Sequence, residues 1–391
     1  MTVHKTVLFD TTALAKVMAP VATASGLPNA HYNDAAIFDA EKKPLFFDTW
    51  PAIAITRDVP EPGFTKPVDF LGQPLLLVHG RDGVIRVFHN VCRHRGMILV
   101  TEPGPIRGAI RCPYHSWCYD LDGKLKATPH VGGPGQNSHQ DIDRDTLGLV
   151  EVRSHIWRDI IFINLSGTAA PFEDMHRDLI DRWSEFDQPI FHGGADSCFE
   201  LSLNTNWKLA VENYCESYHL PWVHPGLNTY SRLEDHYNIE QPDAYSGQGT
   251  LVYRQLKDEA DGSVFGDADN LSPKWDTAAE YVALYPNVLL GVHRDHSFAI
   301  IIQPQAHDKS IERVEIYYHQ QSDTGPGRET LRVRNAALWK TVFEEDIFVV
   351  EGMQRGRNAS GFDGGRFSPV MDSPTHIFHQ WLAKRLLNID G

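Results

Sequence analysis

The sequence predicts an α+β protein in which a small antiparallel β domain precedes a larger domain of antiparallel sheet and helices. Three observations point there. Residues 45–165 are short β-rich runs punctuated by turn residues. Beyond residue 170, stretches with helical spacing alternate with isolated strand runs, the mark of an antiparallel sheet with segregated helices. Finally, 391 residues of which 42% are hydrophobic supply enough apolar surface for two or three cores.

In chain order, LLLVHG (75–80), VIRVFHN (84–90), AIRC (109–112) and SHIWRDIIFINL (154–165) read as strands. The tripeptides RDG (81–83) and LDG (121–123) are hairpin signals. The polar, glycine-rich stretch from Gly132 to Asp145 reads as a surface loop without a legible role. PFEDMHRDLIDRWSEF (171–186) has helical spacing. A helix within Asn206–Gly226 should stop near Leu220, because Pro221 cannot continue it. SFAIIIQP (297–304) and RVEIYYHQ (313–320) are strand candidates. Helices are expected from about Arg328 to Gly356 and from His376 to Leu387.

A formal charge of −15 without a Lys/Arg cluster argues against nucleic acid and anionic membranes as partners. The first thirty residues lack a signal-peptide pattern, and no apolar run approaches the roughly 20 residues that span a bilayer. A soluble cytoplasmic protein is expected. Five cysteines are too few for a disulfide framework in a chain this long, so paired Cys and His point to metal.

Cys92-x-His94 and Cys112-x-x-His115 lie seventeen residues apart, each pair in a turn between strand-like runs. Two thiolates and two imidazoles can hold a tetrahedral zinc, or a 2Fe-2S cluster in which two histidines replace two cysteines on one iron. Zinc sites of this donor set usually run Cys, Cys, His, His, whereas the order here is Cys, His, Cys, His. The order favours the cluster. Gly96 and Pro113 suit tight loops whose N–H groups approach the sulfurs. Cys118, Cys198 and Cys215 have no partner at ligand spacing and read as small buried hydrophobes.

Glu212, Glu216 and His219 recur at i, i+4 and i+7 beside Leu209, and His224 follows five residues after His219. On the C-terminal helix, Leu338, Val342, Asp346, Val349 and Met353 form one stripe, so Asp346 points where an apolar side chain is expected. A buried carboxylate is costly unless paired or bound to metal. Two histidines and one carboxylate make the facial triad of non-heme Fe(II) oxygenases. His219, His224 and Asp346 are therefore the candidate iron ligands.

The loops CRHRG (92–96) and CPYHSW (112–117), the run FFDTWPAIAITRDVPEPG (46–63), the segment ENYCESYHLPWVH (212–224) and FEEDIFVVEGMQRG (343–356) resemble the oxygenase components of the Rieske non-heme iron family. The resemblance covers essentially the whole chain. It implies a Rieske 2Fe-2S β domain over 45–165 and a helix-grip catalytic domain over 166–391, with an N-terminal helical segment (1–44) packing on the latter. It also implies a ring-shaped homotrimer in which Glu216 bridges to a cluster histidine, His115, of the neighbouring subunit, with Asn213 near the iron. Many members carry aspartate where this chain has Glu216, and glutamate resembles the carnitine- and choline-monooxygenase-like branch more.

No GxGxxG opens a helix after a strand, so electrons are expected from a separate flavin/iron-sulfur reductase, with or without a ferredoxin. O₂ and a small organic substrate complete the reaction. Aromatic residues flanking the iron segment, Trp222, Tyr230, Tyr281, Tyr285 and His293, are pocket candidates for an aromatic or quaternary-amine substrate. Two rival readings are a Rieske electron carrier with a ligand-binding domain and a zinc-stabilised lipid-binding protein.

Overall fold

The computed structural model describes residues 9–388, so the first eight residues of the expected N-terminal segment lie outside it. Two compact units divide the described residues: 47–169, and 9–46 together with 170–388.

The smaller unit is built on a seven-stranded antiparallel sheet. Its order is Ala52–Ile55, Ile160–Asn164, Glu151–Trp157, Ile85–His89, Gln73–His79, Phe64–Phe70 and Gly104–Pro105. A second sheet of three short strands, Ile110–Arg111, Cys118–Tyr119 and Leu125–Ala127, accompanies it. The RDG and LDG turns each connect paired strands, with Gly83 at φ 79° and Gly123 at φ 87° supplying the left-handed residue. SHIWRDIIFINL is not one strand but two. Trp157 pairs with Ile160 across a two-residue loop in which Arg158 (φ 49°) and Asp159 (φ 69°) are both left-handed. That geometry matches the twist of a hairpin, and no glycine announces it. Between the sheets Leu76, Val78, Phe88, Ile110, Trp117 and Tyr119 pack with Cys92 and Cys112 in one apolar cluster. Gly132–Asp145 is mostly exposed loop.

The larger unit carries an antiparallel sheet ordered Phe191–His192, Lys309–Tyr318, His296–Ala306, Val288–Val292, Ala279–Leu284, Tyr245–Thr250 and His236–Gln241. Cys198–Leu203 pairs with Lys309–Tyr318 as well. Three helices pack on the sheet or on each other: Trp207–Tyr214, the long helix Glu329–Gly356, and Ser373–Leu386. The region 171–186 is broken into Phe172–Met175 and Arg177–Arg182 rather than one helix.

The N-terminal residues are tied into this unit by buried polar contacts. His376 Nε2 meets the Val17 carbonyl at 2.8 Å, and the Leu27 N–H donates to His379 Nδ1 at 3.1 Å. Lys208, fully buried, pairs with Glu41 at 2.6 Å, and His31 bonds the other Glu41 oxygen at 2.6 Å. A buried charge is tolerated only with such partners. The tie fixes the start of the helix Trp207–Tyr214, whose N-cap Asn206 accepts from the Lys208 N–H.

That helix ends at Tyr214, six residues before the expected stop. The Glu216 carboxylate accepts from the backbone N–H groups of both Tyr218 and His219, as an N-cap side chain does, and so opens the next turn instead of continuing the last. Pro221 then sits in the first turn of the short helix Leu220–Val223, a position that needs no N–H. Glu216 and His219 therefore do not share a helical face with Glu212. Glu212 is buried elsewhere, with Tyr32, Arg357 and His379 around its carboxylate.

Candidate metal centres and substrate pocket

In the smaller unit the two cysteine loops have the same backbone design. Each cysteine N–H donates to the carbonyl five residues on, Cys92 to Met97 and Cys112 to Trp117, both at 2.8 Å. Each cysteine carbonyl accepts from the N–H four residues on, Gly96 and Ser116, both at 3.0 Å. Closing the turn needs a left-handed residue at that fourth position. Glycine provides it in one loop (φ 71°) and Ser116 in the other (φ 58°).

The loops hold Cys92 and Cys112 buried within the apolar cluster, their thiols within hydrogen-bonding reach of each other. His94 and His115 lie side by side on the outer face, with ring centroids 4.7 Å apart, and His94 stacks on Trp117. Burial pushes the Cys92 thiol up from its ordinary value, which an adjacent cation would offset. Buried His115 Nδ1 has no hydrogen-bond partner. Sulfur donors paired inside and imidazoles paired outside fit two metal ions of different donor sets better than one tetrahedral ion. The Arg93 N–H donates to the Tyr119 hydroxyl at 3.0 Å, leaving the phenolic proton for Cys92 Sγ at 3.3 Å. Tyr119 is a contact that ligand spacing does not reveal.

In the larger unit, His219, His224 and Asp346 converge. His219 Nε2 and His224 Nε2 are 3.3 Å apart, and Asp346 Oδ1 lies 3.6 Å and 3.1 Å from them. Ligands about 2.1 Å from one ion and at right angles lie about 3.0 Å apart, so the three atoms can cap one face of an ion. Each imidazole uses its other nitrogen on a carboxylate: His219 Nδ1 to Glu216 at 2.7 Å and His224 Nδ1 to Glu345 at 2.8 Å. Glu345, next to the candidate ligand Asp346, has an orienting role that the sequence reading does not include. Burial lowers the His224 imidazole, but Asp346 and Glu345 outweigh it and hold the group above the usual histidine range. Burial, aided by the Asp346 charge, pushes the Glu312 carboxyl up to about 8, so it keeps its proton at neutral pH.

A cavity of about 100 Å³ opens on the triad. Asn213 lines it beside His219 and Asp346. The long helix contributes Leu338, Trp339, Val342 and Phe343, and the sheet contributes Tyr281, His296 and Phe298. Of the sequence-stated pocket candidates, Tyr230 and Tyr281 line the cavity. Trp222 is 72% exposed at the surface, and Tyr285 is buried against Phe378 and Trp381 with its hydroxyl on Ser246. His293 is fully buried, hydrogen-bonded to Tyr281. Trp339, Phe298 and Tyr253 carry the wall, and Phe298 shares the face of Tyr281 because both pair with Gly291 on the strand between them.

Residues 180–388 match the family model described as the ring-hydroxylating alpha subunit, catalytic domain, and residues 49–140 match the Rieske 2Fe-2S domain. The carnitine monooxygenase oxygenase subunit of Escherichia coli K12 is 26% identical, over 92% of this chain and 93% of its own. The glycine betaine monooxygenase oxygenase subunit of Chromohalobacter salexigens is 25% identical, over 93% and 86%. Among solved structures, a quaternary ammonium Rieske monooxygenase superposes with TM-score 0.75 at 21% identity, over 96% of this chain and 98% of that one. Naphthalene 1,2-dioxygenase from Rhodococcus sp. superposes with TM-score 0.77 at 16% identity, over 97% and 99%. The chain belongs to the ring-hydroxylating alpha-subunit family of Rieske oxygenases, and is an oxidoreductase whose cofactors are a 2Fe-2S cluster and a mononuclear iron.

Proposed function

We propose that this oxygenase hydroxylates, and thereby N-dealkylates, a small quaternary or N-methylated ammonium compound. The observation that carries this reading is the aromatic wall of the cavity. Tyr281, Phe298 and Trp339 come from three different elements and meet with centroids 4.7–6.3 Å apart, on the same cavity as the triad. Electron-rich faces of this kind bind ammonium groups that no hydrogen-bond acceptor can satisfy. The curated relatives above are named for carnitine and glycine betaine, both quaternary ammonium compounds, which supports the same class. Arg254 adds a further mark. It lines the cavity, lies over the Tyr230 ring at 5.5 Å and has no ion pair among the described residues, which suits the carboxylate of a betaine-like substrate.

In this reading Cys92, His94, Cys112 and His115 hold the cluster, and His219, His224 and Asp346 hold the iron. Held there, the cluster would supply electrons taken from a separate reductase, and the iron would supply a site for O₂ activation. Glu216 and Glu345 fix the imidazole tautomers so that both Nε2 atoms face the ion. Leu338, Val342 and Phe343 keep the reacting carbon in apolar surroundings and exclude water. Asn213 offers an amide on the cavity that the triad opens onto. Hydroxylation at a carbon attached to nitrogen gives a product that collapses to the smaller amine and a carbonyl compound.

We assign the finer partners likewise: a flavin/iron-sulfur reductase, and a homotrimer in which Glu216 links the iron site to the neighbouring subunit's cluster. Among the described residues no helix is long and apolar enough to cross a membrane. No disulfide forms among the described residues, as in a reducing compartment such as the cytoplasm.

Turnover with a surrogate reductase, comparing O₂ uptake with product across betaines, choline-type alcohols and aromatic acids, tests the reading. Uptake matched by dealkylated product is expected for betaines. Coupled hydroxylation of an aromatic acid, with ammonium compounds inert, overturns it.

A further inference from the structure

Behind the aromatic wall lies a buried carboxylate that the mechanism does not use. Asp295 sits between the strands Val288–Val292 and His296–Ala306 and is 1% exposed. Its Oδ1 accepts from the Tyr253 hydroxyl at 2.7 Å and from His296 Nδ1 at 2.8 Å, while its Oδ2 is buried without a partner.

The direction of these bonds is fixed by the Trp339 indole, which can only donate. Its Nε1–H meets His296 Nε2 at 2.8 Å, so that nitrogen is bare and the ring proton sits on Nδ1, facing Asp295. Two donors on one oxygen favour the ionised carboxylate. Every bond in the chain from Trp339 through His296, and from Tyr253, therefore runs toward Asp295. Tyr253, His296 and Trp339 all line the cavity.

Among the described residues, no Lys or Arg pairs with this carboxylate. The adjacent Arg294 is committed to Asp267, at 2.8 Å, and to Asp276. His293 stacks on His296 at 4.3 Å, and burial keeps its imidazole uncharged at neutral pH. A buried carboxylate without a counter-charge is among the more expensive groups a fold can carry. A cation in the cavity supplies its missing counter-charge, and rings that donate to a carboxylate present more electron-rich faces to that cation.

We propose that Asp295 is the charge-selecting residue of the pocket, acting through Tyr253, His296 and Trp339 to favour an ammonium group over a neutral group of the same shape. This deepens the ammonium reading and rests on it. It makes Asp295 a positioning and selectivity residue rather than a catalytic one.

The test compares a trimethylammonium carboxylate with its carbon isostere, in which tert-butyl replaces trimethylammonium, on the iron-loaded holoenzyme. Binding by calorimetry and kcat/KM are both read. Asp295→Asn keeps the Oδ1 acceptor and the shape, and the cluster's visible spectrum reports an intact protein. The wild type should prefer the ammonium compound, and Asp295→Asn should reduce that ratio roughly 30-fold, chiefly by weakening the cation while the isostere binds as before. Trp339→Phe, which keeps a ring but removes the donor, should reduce it less. This second variant decides the matter if Asp295→Asn does not fold. An unchanged ratio in the folded variants overturns the role of Asp295 while leaving the ammonium reading standing. A wild type that binds neither compound overturns the ammonium reading itself.

Discussion

Glu345 and Asp346 are neighbours on one helix turned to different tasks: Asp346 Oδ1 faces the two Nε2 atoms, and Glu345 Oε2 reaches the far side of His224 at 2.8 Å. A carboxylate on the distal nitrogen fixes the tautomer and raises ligand basicity, and its loss typically lowers metal affinity about 10- to 100-fold. Glu345→Ala should lose iron by that factor, measured as bound iron after dialysis against a chelator, with the cluster absorbance intact. Glu344→Ala, altering an exposed side chain, should retain it. Retention by both variants would show that Glu345 does not orient His224. Asp346 is legible in the sequence because it interrupts an apolar stripe. Glu345 is not, because a spacing argument assigns adjacent residues to separate faces and takes no account of how far a glutamate reaches. The same holds for Tyr119, whose hydroxyl meets Cys92 from twenty-seven residues away.

The strand Ala279–Leu284 divides its labour by alternation: Tyr281 faces the cavity and Glu280 the opposite side. There Glu280, with no exposed surface, accepts from Arg182 at 2.7 and 2.9 Å, Trp183 at 2.8 Å, Lys274 at 2.8 Å and Tyr237 at 2.8 Å. Burial alone would raise its carboxyl, but these donors hold it down at about 2 against an ordinary 4.5. A depressed folded-state value means the stabilisation is present above pH 4.5 and is lost as pH falls toward 2. Its size is about 3 kcal/mol. Glu280→Gln should therefore destabilise the larger unit by about 3 kcal/mol at pH 7, and the gap to wild type should narrow steadily below pH 4.5 in denaturant titrations. A gap independent of pH would contradict the assignment. At this scale the sequence places His296–Ala306, Lys309–Tyr318 and the two C-terminal helices well, and names no run for Val288–Val292, Tyr245–Thr250 or His236–Gln241. The long helix is expected to begin at Arg328 and begins at Glu329. It fails where a side chain overrides local pattern, as Glu216 does in ending a helix whose apolar spacing runs on, and where a hairpin turns on Arg158 and Asp159 without glycine.

At the scale of the molecule, residues 9–46 and 170–388, from both ends of the described chain, form one compact unit, and residues 47–169 form another. Linear patterns cannot show this, because the joining contacts, such as Lys208 with Glu41, span 167 positions. The oligomer is likewise invisible to local pattern, and the proposed trimer makes a sharp prediction. Consider a cluster-deficient chain, His115→Ala, and an iron-deficient chain, Asp346→Ala, co-expressed with different tags and purified through both. Each alone should be inactive. In a ring of three that holds both kinds, one of the three ordered neighbour pairs joins an intact iron site to an intact cluster, so activity of about one third of wild type is expected. If electrons instead pass within each chain, the mixed assemblies stay inactive, because no single chain holds both centres. If the chain is a monomer, no doubly tagged species is recovered. Adding Glu216→Gln, whose amide oxygen still accepts from His219 Nδ1–H, to the chain with the intact iron site should silence the rescued activity with both metals still bound, because that carboxylate is the proposed link between subunits.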